Sequence, residues 1–420
     1  MHSYGLTLLA RILGAGVSLL VLLLVTARVP QTEVGSTLLC WTTAAYVAAL
    51  TRLGRDAVVL AAASGDIGEG CAELAKSVLP CCASSLGVSF ALAVIADATE
   101  VVPLSQSWGF VATTPMLTLA LLGLELLKAA GWVEVASLLH SAMPSALVGA
   151  IALALGLSGR GPLLGALVLS SALMLPVVFV ALFANQQTRR ALPDVARKLS
   201  KASRGEVAGG LPVMISDATF MGVNWIPFAA VAGFGTPSQL ALFGTASRVG
   251  AGLNVAVAAL HNVGGPVVAK ELQSGGDMAG LRAVQARVSL SAAPIVAGVA
   301  ISVVLFEEWL LKLLGDEFAG VGLLVAVFAI AHGVRALGVV SLLLLALSER
   351  RYLLYWPSGT ALLVCVALSL SLASFAVSFV PLAVVAGFGA QTGLAYRAAW
   401  GAGARGLGNK LMSRRRTDVE

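Results

Sequence analysis

Long apolar runs follow one another along almost the whole chain, each close to the length that crosses a lipid bilayer. A membrane-spanning helix needs about 20 mainly apolar residues. By that criterion we predict twelve spans, at residues 6–27, 34–52, 77–96, 107–127, 132–156, 162–184, 207–232, 238–262, 288–306, 319–347, 352–372 and 375–396. Because lipid offers the backbone no hydrogen-bond partner, every span must be helical. The sequence therefore predicts an all-α polytopic membrane protein.

The composition supports the same class. Hydrophobic residues make up 58% of the chain and charged residues 11%, whereas soluble domains contain about 45–50% and about 25%. The 45 glycines are spread through the apolar runs, where small residues let helices approach closely in lipid. A membrane β-barrel would instead contain short segments of alternating polarity.

Lys and Arg are distributed unevenly over the predicted connections. With the N-terminus in the cytoplasm, 21 of the 27 Lys and Arg residues fall on the cytoplasmic side. Three fall on the other side (Arg28, Arg160 and Lys312), and three lie inside spans. Cytoplasmic loops of membrane proteins carry such an excess. The pattern predicts that both termini are cytoplasmic, and it attributes the net charge of +6 to topology rather than to nucleic-acid binding.

The longest polar connection divides the chain into two halves of six predicted spans. We predict an N-terminal bundle at 1–184, a basic cytoplasmic linker at 185–206, a C-terminal bundle at 207–396 and a basic tail at 397–420. The halves share a weak pattern after their second span: Gly54–Val59 leads into Ser64-Gly65-Asp66, and Gly264–Val268 leads into Ser274–Asp277. Six spans per half give both halves the same orientation, as in parallel transporter repeats.

Three arginines lie within predicted spans: Arg11, Arg248 and Arg335. A cation near the bilayer centre costs about 2.5–3.5 kcal/mol on insertion scales, so such residues face a protein or water-filled interior. Three cations predict a cavity for an anion. Alternatives stay open for each: Arg11 can snorkel to the interface, Arg248 can pair with Asp217, and Arg335 can pack with His332 in a kinked helix.

Polar residues on the seventh and eighth spans are further candidates. Asp217 and Asn224 lie seven residues apart and so share a helix face. Asp217 could take part in ion or proton coupling, or act as a permanent counter-ion. On the eighth span Ser247, Asn254 and His261 form a polar stripe with a spacing of seven residues. This stripe either lines the cavity, together with Asn224 and His332, or forms hydrogen bonds to neighbouring helices. The four histidines and five cysteines have no metal-site or disulfide spacing, and we expect no metal or cofactor.

Several short motifs, in order and spacing, resemble the polysaccharide flippases of the multidrug/oligosaccharidyl-lipid/polysaccharide (MOP) exporter superfamily. The first hairpin contains Ala27–Pro30, Glu33–Gly35 and Leu53–Asp56, and the second half repeats the arrangement. Leu314–Phe318 is similar to the turn that precedes the tenth span in that family. These motifs are Ala27-Arg28-Val29-Pro30, Glu33-Val34-Gly35, Leu53-Gly54-Arg55-Asp56, Gly233-Phe234-Gly235-Thr236, Gln239-Leu240-Ala241, Ser274-Gly275-Gly276-Asp277 and Leu314-Gly315-Asp316-Glu317-Phe318.

The resemblance implies two six-helix bundles in a V shape, alternating access, and movement of an undecaprenyl-pyrophosphate-linked oligosaccharide across the bacterial inner membrane. Related lipid II flippases carry cavity arginines on the first, second and eighth spans, where this chain has Arg11, Arg52 and Arg248. Asp217 matches an acidic residue that some members use to bind Na⁺. Residues 352–372 lack the acidic and amide ligands that those members add, which argues against sodium coupling.

We therefore predict a flippase for an O-antigen or exopolysaccharide repeat unit. Its expected partners are the lipid-linked oligosaccharide, membrane lipids and other polysaccharide-assembly proteins, and no nucleic acid. An ion-coupled multidrug antiporter of the same superfamily is the closest alternative, although such proteins usually keep acidic cavity groups. An O-antigen polymerase or ligase is a third; the short outer connections argue against that class, and we expect no enzymatic activity.

Overall fold

A computed structural model describes residues 29–98, 104–141, 143–154, 162–199, 207–251, 278–305, 307–315, 318–347 and 351–401, together with Val268 and scattered positions between 13 and 24. These residues form helices and short connections, without a strand. The α-helices are α1 Gln31–Thr51, α2 Arg55–Gly65, α3 Ile67–Ala98, α4 Leu104–Ala129, α5 Val133–Ser141, α6 Met143–Ala154, α7 Pro162–Ala184, α8 Gln186–Leu199, α9 Val207–Phe234, α10 Pro237–Ala251, α11 Met278–Leu305, α12 Glu307–Leu314, α13 Val321–Leu347, α14 Tyr355–Phe375 and α15 Pro381–Trp400.

Seven of the described helices are long and apolar enough to cross a membrane. The qualifying segments are Glu33–Thr51, Ile67–Ala98, Trp108–Ala129, Gly165–Ala184, Val321–Ala346, Arg351–Phe375 and Val377–Trp400. Each overlaps one of the twelve predicted spans. The predicted all-helical membrane class is confirmed, whereas the count of twelve and the orientation of the termini stay predictions.

Some helices differ in length from the predicted spans. Helix α3 begins at Ile67, ten residues before the predicted start, because Asp66 caps it by accepting a hydrogen bond from the Gly68 amide at 2.7 Å. The predicted span at 132–156 consists of α5 and α6, on either side of Ala142, which lies outside the described residues. Helix α10 is described as far as Ala251, and the rest of the predicted eighth span lies outside the described residues.

By its contacts the chain divides into two compact units. The first comprises Met1–Met221, Val231–Thr245 and Leu311–Phe318, and the second Gly222–Ala230, Ala246–Leu310 and Ala319–Glu420. The predicted domains at 1–184, 185–206, 207–396 and 397–420 stay predictions.

In the first unit, α3 and α4 lie at the centre and contact most of the other helices. Helix α4 contacts α1, α3, α5 and α7, and α3 also contacts α2 and α8. Their buried core includes Leu122, Leu126, Met174 and Val178. Several buried hydroxyl groups of this unit bond to their own helix: Thr43, for example, donates to the Leu39 carbonyl at 2.8 Å. This hydrogen bond lowers the cost of placing the Thr43 hydroxyl in an apolar environment.

In the second unit, α13 lies between α11 and α15, and α14 packs on α15. Glycines bring these helices close together: a Cβ on Gly338 would lie 2.7 Å from Thr392 Oγ1, and one on Gly333 would lie 2.7 Å from a Val296 methyl group. Such contacts give van der Waals attraction where lipid supplies no hydrophobic drive between helices.

Each unit gathers basic residues at one end. In the first unit, a hydrophobic cluster joins the end of α4 to the start of α3. Around it lie helix α8 and four basic residues, Arg52, Arg55, Lys76 and Lys128. We call this the basic end of the first unit. In the second unit, a hydrophobic cluster contains Leu281, Leu354 and Ala395. Three arginines lie within three positions of these residues in the chain: Arg282, Arg351 and Arg397. The side of the membrane on which these ends lie stays a prediction from the charge count.

Candidate functional site

Arg248 lies in the last described turn of α10, in the second unit, and is partly exposed. Gly250, two positions later, packs so closely on α13 that a Cβ there would overlap the Cβ of Phe328. With 3.6 residues per turn, two positions correspond to about 200° around a helix. The Cα–Cβ bond of Arg248 therefore points away from the contact between Gly250 and Phe328. Its role as an anion ligand stays a prediction that this placement allows.

Arg335 and His332 approach the same aromatic ring from one side of α13. The Arg335 guanidinium carbon lies 6.0 Å from the ring centroid of Phe388 on α15, and the His332 and Phe388 ring centroids are 5.8 Å apart. A guanidinium at this distance is attracted by the negative face of the ring. His332 is buried and Arg335 is half-buried. The structure thus brings these two predicted residues together around an aromatic side chain.

Gln391 on α15 is a third polar residue of this region, and it is not among the residues predicted from the sequence. Its side chain is buried, and its Oε1 atom has no hydrogen-bond partner among the described residues. Thr392, the next residue, donates to the Val334 carbonyl at 3.1 Å. An amide inside a predicted span is itself a functional signal, and that signal was present in the Ala390-Gln391-Thr392 sequence.

A hydrogen-bond network that was not predicted links three helices at the basic end of the second unit. The Trp400 indole donates to Ser341 Oγ at 2.9 Å, and Ser341 Oγ donates to Gln285 Oε1 at 3.3 Å. The Gln285 amide nitrogen donates to the Leu337 carbonyl at 2.6 Å. The chain of bonds ties α11, α13 and α15 together. Its partners are far apart in the sequence, so no local pattern indicated it.

Arg52 is held in an ion pair. Its Nη1 atom lies 2.9 Å from Asp56 Oδ2, and its Nε atom donates to the Ala48 carbonyl at 3.3 Å. Between the two partners the chain turns through left-handed conformations at Leu53 (φ 52°) and Gly54 (φ 71°), which break the helix. A non-glycine residue at positive φ is uncommon and costly. A role for Arg52 in a cationic cavity stays a prediction.

Asp217 and Asn224 both lie in α9, as predicted, and so share one side of that helix. Asp217 is exposed and Asn224 is half-buried. The part of α9 that belongs to the second unit contacts α14: the Cys365 thiol donates a hydrogen bond to the Val223 carbonyl at 3.6 Å. The coupling role of Asp217 stays a prediction. Arg11, Asn254 and His261 lie outside the described residues.

Glu73 is the acidic centre of the basic end of the first unit. Its carboxylate lies 3.4 Å from the Arg55 guanidinium and 3.3 Å from the Lys76 ammonium. Its own side chain is 8% exposed, whereas the two cations are 22% and 23% exposed. A nearly buried carboxylate that pairs with two cations stabilises the joint between α2 and α3.

We expect Glu73→Gln to destabilise the protein by about 2 kcal/mol, because it leaves two partly buried cations without their counter-ion. Loss of one partner of a fully buried pair costs about 3–5 kcal/mol, and partial exposure reduces that cost. The measurement is thermal or denaturant unfolding in detergent. Glu69→Gln in the same helix is the control: Glu69 is exposed, and the change should stay within about 0.5 kcal/mol. Equal stability of the two variants would contradict the assigned role.

The fold is similar to that of solved membrane transporters. No protein-family model matches the chain, and no curated protein matches it. Among solved structures, the inward-facing conformation of a multidrug resistance MATE family transporter of the MOP superfamily matches with a TM-score of 0.63 and 13% identity, over 98% of this chain and 99% of that chain. A MATE structure in complex with MaL6 matches with a TM-score of 0.64 and 14% identity, over 98% and 96% of the two chains.

The outward-facing conformation of a multidrug resistance MATE family transporter matches with a TM-score of 0.55 and 14% identity, over 98% of this chain and 96% of that chain. At such low identity the likeness carries information on the fold alone. It extends over almost the full length of each protein, so it is not confined to one bundle of helices. The chain therefore has the multi-pass helical membrane fold of MATE transporters of the MOP superfamily.

Proposed function

We propose that the protein is a membrane transporter that works by alternating access. The observation that supports this proposal is the match over 98% of the chain to transporter structures in an inward-facing and an outward-facing conformation. A fold that is found in both conformations is suited to exposing one site to each side of the membrane in turn. The expected location is a bacterial inner membrane.

The fold neighbours favour a drug-like cargo. The structures that match are described as multidrug resistance transporters, so an ion-coupled multidrug antiporter fits the fold at least as well as a polysaccharide flippase. In that version Asp217 is the candidate coupling residue. It is an exposed carboxylate on α9, and a carboxylate can exchange a proton or a cation during a transport cycle.

The charges of the described helices favour a different cargo. Arg248 and Arg335 are half-buried cations inside predicted spans, and the Phe388 ring holds the second of them by its face. Arginine stays charged in all conditions and can bind phosphate through two parallel hydrogen bonds. These residues support an anionic cargo, and the sequence resemblance names its class: a polyprenyl-pyrophosphate-linked oligosaccharide.

In the flippase version the arginines neutralise the pyrophosphate while it crosses the membrane. The amides Asn224 and Gln391 and the imidazole of His332 are polar groups that can hydrogen-bond hydroxyl groups of the sugar. The isoprenoid tail stays in lipid, because burial of a long hydrocarbon in a polar cavity would cost the free energy of its apolar surface. Other polysaccharide-assembly proteins are expected to supply and consume such a cargo.

Reconstitution of the purified chain into liposomes separates the two cargoes. One set of vesicles is loaded with a fluorescent organic cation under a proton or sodium gradient, and its efflux is recorded. A second set contains a fluorescent polyprenyl-pyrophosphate saccharide, and the fraction that an external reductant can bleach is followed with time. Movement of the lipid alone supports the flippase, and movement of the cation alone supports the antiporter. Movement of neither above protein-free vesicles would overturn the transport proposal.

A further inference from the structure

The cations at the basic end of the first unit fall into two groups. Arg52, Arg55, Lys76 and Lys128 each lie within 3.4 Å of a carboxylate oxygen, on Asp56, Glu73 or Glu125. Arg189 and Arg190 of α8 are different. Both are exposed, and neither guanidinium forms an ion pair with any residue in the part of the chain that the structure describes. The fold neutralises the first group internally and leaves the second available.

Helix α8 is anchored on the rest of the unit at its start. The Asn185 side chain donates to the Ala130 carbonyl at the end of α4 at 3.1 Å. Its Oδ1 atom accepts from the backbone amides of Gln187 at 3.0 Å and Thr188 at 3.2 Å. Asn185 is therefore both the N-cap of α8 and a tether to α4. This double role fixes the position of the following residues.

The two sides of α8 have opposite character. Thr188 is buried, and Val195 packs against the core cluster of the unit. These positions are seven apart and lie on one side of the helix. Gln187, Arg189 and Arg190 are exposed. Helix α8 is thus an amphipathic helix whose apolar side is already covered by α3 and whose basic side is open.

The position of α8 along the unit corresponds to a membrane boundary. Helix α7, whose Gly165–Ala184 segment can span a bilayer, ends one residue before Asn185. On the neighbouring helix α3, Lys76 is paired with Glu73, whereas Leu79, one turn later, is 78% exposed. An exposed leucine next to a charged turn marks the change from headgroups to hydrocarbon in a membrane helix. The exposed arginines of α8 lie at the same end.

We propose that the exposed basic side of α8 is a docking surface for anionic phospholipid headgroups of the leaflet at this end. A guanidinium binds phosphate through paired hydrogen bonds, and the exposed amides of Gln186 and Gln187 add further donors. The sequence of the same helix also contains Arg197 and Lys198, with Asp194 as its only acid. Charge complementarity therefore favours a negatively charged surface. This inference does not depend on which cargo the protein carries.

Lipid titration of the full-length protein in detergent tests the proposal. We expect phosphatidylglycerol to raise the thermal unfolding midpoint at lower concentrations than phosphatidylcholine, because a ligand that binds the folded state stabilises it. In Arg189→Gln/Arg190→Gln the phosphatidylglycerol concentration for half the effect should rise by about fivefold per arginine, which corresponds to about 1 kcal/mol for each cation near an anionic surface. Raising the salt concentration should weaken the wild-type preference.

Three companion measurements identify the occupant and the position. Arg189→Lys/Arg190→Lys keeps both charges and should retain most of the preference. Arg282→Gln/Lys312→Gln removes two exposed cations elsewhere and should leave it unchanged. Inorganic phosphate at equal concentration should produce no shift. Equal stabilisation by the two lipids, an unchanged preference in Arg189→Gln/Arg190→Gln, or a full shift with phosphate alone would overturn the proposal.

Discussion

Gly70→Ala is expected to destabilise the protein by about 3 kcal/mol, as severe overpacking does. A Cβ on Gly70 of α3 would lie 2.8 Å from the Ala63 Cα atom and closer still to the Ala63 Cβ. Those atoms belong to the backbone and first side-chain carbon of α2, so no flexible side chain can move aside. The joint between α2 and α3 would have to open. Unfolding in detergent, followed by heat or denaturant, measures the loss.

Gly87→Ala in the same helix is the matched control. Nothing lies within 4 Å of a Cβ at this position, so the change adds no contact. Alanine replaces glycine in a helix interior with a gain of about 0.5–1 kcal/mol. We therefore expect the two Gly→Ala variants of α3 to change stability in opposite directions. If both variants were equally stable, the close approach of α2 and α3 at Gly70 would be wrong.

Arg248→Ala is expected to lower transport of an anionic cargo by about 10- to 100-fold. A hydrogen bond to a charged group contributes about 1.5–3 kcal/mol, and each 1.4 kcal/mol corresponds to a factor of ten. The Cα–Cβ bond of Arg248 points away from the contact between Gly250 and Phe328, so removal of the side chain should not disturb that contact. The measurement is the rate of lipid-pyrophosphate movement in reconstituted vesicles.

Two variants keep this prediction specific. Arg248→Lys retains the charge but loses the paired geometry, and should transport at an intermediate rate. Arg282→Ala removes an exposed arginine in the same unit and should transport like the wild type. Unfolding midpoints must be similar in all variants, so that a loss of rate reports on binding rather than on folding. A wild-type rate in Arg248→Ala would remove this residue from the transport site.

The candidate site was predictable from the sequence only in part. Single charged residues and histidines within apolar runs can be recognised from the sequence, because such groups are costly inside a membrane wherever they occur. Arg248, Arg335, His332 and Asp217 were found in this way. The partners of such residues were not predictable: the contact of Arg335 with Phe388 joins positions that are 53 residues apart. A pairing of this kind depends on which helices become neighbours.

The sequence by itself determined the helical membrane class. The length of each apolar run decides whether a segment can span a bilayer, and the absence of water decides that it must be helical; both are local properties. Only the tertiary structure decided how charges are satisfied. It pairs Arg55 and Lys76 with Glu73 and leaves Arg189 and Arg190 open. An ion pair depends on distances of a few ångströms between helices, and those distances are set by packing at glycine contacts that no local pattern encodes.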